Sequence, residues 1–81
     1  MTFTQLHDSM EISYKKLWHI LIDKGMTKTD LQRVAHLSWS SIAKLNKGEN
    51  ISTDLLLRIC NALDCNLSDI VETVKISNTS N

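Results

Sequence analysis

The stretch MTKTDLQRVAHLSWSSIAKLNKG, residues 26–48, decides how the chain folds. It reads as two short helices joined by a sharp turn. Thr27 is placed to cap the first helix. Asp30 stands three residues on, as in a capping box, although Asp replaces the usual Glu or Gln. Leu31, Val34 and Ala35 recur at three- and four-residue spacing and form the expected inner face. Leu37 and Ser38 already prepare the next helix, so little chain is left for the turn. Ser38 is the expected N-cap of that helix, and Ile42 and Leu45 are its buried stripe. Gly48 is its stop, because glycine adopts the left-handed conformation without a Cβ penalty.

Working outward, Ser13 is the expected cap of a preceding helix. Its stripe runs through Tyr14, Leu17, Trp18, Leu21 and Ile22, and Lys24-Gly25 ends it. His19 and Ile20 fall off that stripe. Downstream, Ser52 caps a helix in which Leu55, Leu56, Ile59, Ala62 and Leu63 repeat at helical spacing, with Asp54 in its first turn. Asp64 to Asn66 is a polar break. Ser68 to Val71 reads as one last turn whose Ile70 and Val71 plug the core. Residues 1–11 lack periodicity and read as a mobile extension; residues 73–81 read as a disordered polar tail.

Composition agrees with one small helical domain. In 81 residues there is no proline, and glycine occurs only at Gly25 and Gly48, so little interrupts a helix. A hydrophobic content of 42% beside 22% charged residues argues against wholesale disorder. The expected fold class is all-α, a compact bundle of four to five helices. The apolar run Leu17 to Ile22 is too short to span a bilayer, and no secretory signal is visible, so no membrane role is expected. Cys60 and Cys65 make neither a disulfide framework nor a zinc set; they read as a packed thiol and a loop thiol. The expected compartment is the cytoplasm. No nucleophile–base–acid set and no glycine-rich phosphate loop is discernible, so neither an enzyme nor a cofactor, metal or small-molecule ligand is expected.

The stretch 26–48 resembles the helix-turn-helix of the Cro and lambda-repressor type, the XRE family. Leu31, Ala35, Leu37, Ser38, Ile42, Leu45 and Gly48 stand at the matching places. Tyr14 to Trp18 is similar to the first helix of short members, and Ser52–Leu56 with Ile59–Ile70 to the fourth and fifth. The resemblance covers about residues 12–72, the expected DNA-binding domain. One departure is His36, where the family usually has a glycine with positive φ. Histidine reaches that conformation at some cost, more readily than a β-branched residue does.

The resemblance implies double-stranded DNA as partner. It implies phosphate contacts from Thr27, Lys28, Ser38, Ser41 and Lys47, and base contacts from Trp39, Ser40 and Lys44. Lysine can donate to guanine O6 and N7, serine reads bases weakly, and tryptophan can only press on a thymine methyl or a sugar.

Helical geometry supports this apart from the family. At 100° per residue, Ile42 and Leu45 define one side of the third helix. Ser40, Ala43, Lys44 and Lys47 fall opposite, with Trp39 on the flank, and that outer face has no acid of its own. Charge is also unevenly spread. Residues 12–48 hold Lys15, Lys16, Lys24, Lys28, Arg33, Lys44 and Lys47 against Asp23 and Asp30, a net of +5. Residues 49–75 hold Arg58 and Lys75 against five acids, a net of −3, and Asp8 and Glu11 contribute −2. The formal zero of the whole chain is therefore a cancellation that leaves a basic footprint on the first three helices.

The expected function is a transcriptional regulator, a repressor by occlusion, bound as a homodimer whose contact surface lies around residues 55–72. The competing reading is a protein-interaction module on the same fold, such as an antitoxin or adaptor.

Overall fold

The computed structural model describes residues 8–77. The order is β1 (Asp8–Ser13), α1 (Lys15–Lys24), α2 (Lys28–Val34), α3 (Trp39–Lys47), α4 (Thr53–Leu63), α5 (Leu67–Ile70) and β2 (Glu72–Ser77). The five helices agree with the expectation, but the fold is not strictly all-α. The two strands pair antiparallel in a two-stranded sheet, from Asp8 opposite Ser77 to Ser13 opposite Glu72. Residues 8–11 and 73–77 are thus paired strand, whereas the rest of the expected mobile extension, 1–7, and of the expected disordered tail, 78–81, lies outside the described residues. The pairing joins segments about sixty residues apart, so no hairpin turn announces it. A local trace exists in Thr73, Val74 and Ile76, three β-branched residues in one short run.

The core is built by one fully buried side chain from each helix: Leu17, Leu31, Leu45, Ile59 and Ile70. Tyr14, Leu21, Ala35, Leu37, Ile42, Leu56, Cys60 and Leu63 complete it. Ile12 of β1 packs on its rim, which anchors the ribbon to the helices. Cys60 is buried and Cys65 half-buried; both are free thiols.

Two residues placed inward by spacing lie outside. Ile22 is 73% exposed, because the α1 stripe is centred on Leu17 and Leu21 and Ile22 lies 100° beyond Leu21. Ile20, on the other flank, packs against the core instead. Val34 is 44% exposed; the buried side of α2 runs through Leu31 and Ala35.

The helix ends follow the capping chemistry with one exception. Ser38 Oγ accepts from the Ser41 N–H at 3.1 Å, and Ser52 Oγ from the Leu55 N–H at 3.2 Å. Gly25 and Gly48 close α1 and α3 at φ of 67° and 73°. The exception is Ser13, which belongs to β1. Tyr14 occupies the cap position of α1, without a side-chain cap bond. The Tyr14 ring is buried, and its hydroxyl donates to the Glu49 carbonyl at 2.7 Å, tying the start of α1 to the loop after α3.

Candidate nucleic-acid interface

The site is built around the turn between α2 and α3. Thr27 and Asp30 form the full reciprocal cap. The Thr27 hydroxyl accepts from the Asp30 N–H at 3.1 Å, and the Thr27 N–H donates to the Asp30 carboxylate at 2.9 Å. That backbone N–H, chiefly, holds the Asp30 carboxyl below the usual aspartate range; the Thr27 hydroxyl and Arg33 add to it. A carboxyl with a lowered folded-state pKa stabilises the fold above its unfolded-state value. That stabilisation is lost as pH falls through the folded-state value. The thermal midpoint is therefore expected to drop on acidification below the ordinary carboxylate range. Asp30→Ala should lower the midpoint at neutral pH and remove part of that acid drop in a pH series of thermal melts.

His36 carries φ of 56°, the left-handed conformation anticipated from its place in the motif. Two side chains brace this turn. Gln32 Nε2 donates to the Leu37 carbonyl at 2.7 Å, and an Arg58 guanidinium nitrogen to the His36 carbonyl at 3.2 Å. Arg58 in turn lies 3.3 Å from Asp54 within α4. Leu37 is buried and pins the turn to the core. The His36 side chain is exposed, so His36→Gly removes the left-handed penalty without opening a cavity. Offset by glycine's extra backbone entropy, the net gain is expected between zero and about 1 kcal/mol in urea denaturation. A large loss instead would mean that the imidazole itself holds the turn.

On α3, Ile42 and Leu45 are sealed against the core, while Ser40, Ala43, Lys44, Asn46 and Lys47 are exposed. Trp39 is 56% exposed, so it does not fold into this core. The expected base-facing group Trp39, Ser40 and Lys44 is brought together with Lys47 on the outward half of one helix. Ser41, expected to meet a phosphate, is buried, with its Oγ 3.0 Å from the Ser38 Oγ. The reason is angular: Ser41 lies only 40° from Leu45 on the helical wheel. Ser38 is exposed, and its hydroxyl sits 2.9 Å from that of Ser40.

The start of α2 adjoins the last turn of α3. Lys28 is exposed, but its Nζ is bonded to Asn46 Oδ1 and lies 4.3 Å from the centroid of the half-buried Trp18 ring. Lys28 therefore braces α1, α2 and α3 together. Residues that sequence reasoning missed are Asn46, Gln32 and Arg58, which position the helices. It also missed Glu11 and Glu49, which share a cleft with Lys44 and Lys47. Glu49 was legible as a neighbour in sequence; Glu11 was not, because the ribbon that carries it was not. Among the described residues no group of three His, Cys, Asp or Glu side chains is placed to hold a metal ion, and no helix is long and apolar enough to cross a membrane.

Two short helices set around a braced left-handed turn, with the second presenting a basic outer face, define a helix-turn-helix domain. The chain belongs to the Cro/C1-type HTH DNA-binding domain family, whose model matches residues 16–75. It is similar to the crystal structure of the transcriptional regulator VanUg, at 41% sequence identity and a TM-score of 0.80, over 90% of this chain and 97% of that one. No curated protein matches it.

Proposed function

We propose that the protein is a sequence-specific, double-stranded DNA-binding regulator of transcription that places α3 in the major groove and represses by occlusion. The observation that carries this reading is the division of α3. Ile42 and Leu45 are sealed in the core, and the opposite face offers Trp39, Ser40, Lys44 and Lys47 to a partner. The family and the regulator it resembles support the same reading. In it, Trp39, Ser40 and Lys44 face base edges, each true base contact being worth about 1–3 kcal/mol of discrimination. Thr27, Lys28, Ser38 and Lys47 lie along the phosphates. Ser41 acts from inside, through Ser38.

One such helix reads few bases, so the protein acts as a homodimer on two half-sites. Its contact surface lies on α4 and α5 around residues 55–72, where Leu57 and Leu67 are exposed. A salt titration of binding to random duplex tests the reading. Log affinity should fall steeply and linearly with log salt, as released counterions dictate. No binding at low salt would sink it. The protein-interaction reading, to which the exposed Ile22 and Leu57 lend apolar surface, would then take its place.

A further inference from the structure

We infer that Glu11, carried on β1, is an electrostatic brake on the DNA-facing end of α3, limiting how strongly Lys44 and Lys47 attract the phosphates of unrelated duplex. The inference rests on the reading of α3 as the DNA-facing helix. Glu11 and Glu49 line one cleft with Lys44 and Lys47. Glu11 is exposed and sits opposite Val74 in the sheet register, so its place is set by strand pairing. The strand is held against the helix end in two ways. Ile12 packs on the core, with its carbonyl 3.9 Å from where a Cβ on Gly48 would stand. Tyr14 bonds the Glu49 carbonyl just beyond.

Among the described residues neither Lys44 nor Lys47 forms an ion pair within 4.0 Å. The Glu11 carboxylate therefore leaves both ammonium groups available. It lowers the local potential across the cleft that it lines with them, an effect that salt screens. Binding to random duplex is almost wholly electrostatic, so this lowering acts on it directly. The ribbon thus sets how much unrelated DNA the protein holds.

The test compares random-duplex binding at neutral pH and low salt for the wild type, Glu11→Gln and Asp23→Asn. Asp23 removes the same formal charge from a hollow shared with Lys24, Leu63 and Cys65, which contains no residue of β1 or α3. Glu11→Gln is expected to raise affinity about threefold or more at low salt, the gain shrinking as salt screens the removed charge. Asp23→Asn should stay within about twofold of wild type, as a change of net charge remote from the site. Glu11→Ala should follow Glu11→Gln, which excludes a new contact made by the amide. If both Glu11 variants behave like Asp23→Asn while all the proteins bind duplex, the brake is overturned and the DNA reading stands. If no protein binds duplex at low salt, both fall.

Discussion

Alanine at both Lys44 and Lys47 is expected to flatten the salt dependence of duplex binding by about 1.8 in slope, and to weaken binding on the order of a hundredfold near 50 mM salt. Each lysine that neutralises a phosphate releases close to one counterion, so two lost contacts remove about two. Both side chains are exposed in the last turn of α3, and neither is ion-paired among the described residues. Their removal takes favourable charge from the negative end of the helix, about 0.3–1 kcal/mol each, which alanine's helix propensity offsets in part. The double variant should therefore keep its far-UV circular dichroism and still melt cooperatively. A folded variant that binds random duplex like the wild type would show that phosphates do not meet this face. Trp39→Ala and Ser40→Ala would then have no reason to alter sequence preference.

Ile59→Ala is expected to cost about 2–5 kcal/mol of stability. Ile59 is fully buried on α4 and belongs to the set of five that meets at the centre of the bundle, one from each helix. Truncation removes buried methyl and methylene groups and leaves a void that short, mutually dependent helices close only in part. For a chain of this size the whole folding free energy is of order 4–12 kcal/mol, so the loss is a large fraction of it. The thermal midpoint should fall by roughly 10–30 °C. A fall under about 5 °C would mean that the five-helix core relaxes around the gap. DNA binding at a temperature where the variant remains folded should be nearly unchanged, since Ile59 is fully buried and takes no part in the exposed face of α3.

The helix-turn-helix was legible because its signals are local. The Thr27–Asp30 cap, the Ser38 cap, the glycines at 25 and 48, and the Ile42–Leu45 stripe each involve residues within about four of one another. The left-handed conformation of His36 was implied by the family resemblance, which usually has a glycine at that place. Failures came where one residue's fate depended on what packs beside it. Ile22 and Val34 obey helical spacing yet lie exposed, because the neighbouring helices cover only part of each stripe. Ser41 is polar and adjacent to outward residues, yet it is buried beneath Ser38.

What the sequence determined by itself is a bundle of four to five helices, where most of them start and stop, and the face of α3 left free to meet a partner. These follow from capping, from glycine's access to left-handed backbone and from periodicity, all of which act within a helical turn. Only the tertiary structure decided that the two ends of the described chain pair as a ribbon. It also set Glu11 beside Lys44 and Lys47, and made Lys28 and Arg58 braces of the site. The physical reason is separation along the chain. Strand pairing between residues 8–13 and 72–77 is possible only after the helices have brought those segments together. Until then six residues such as DSMEIS carry no pattern that distinguishes a strand from a free end.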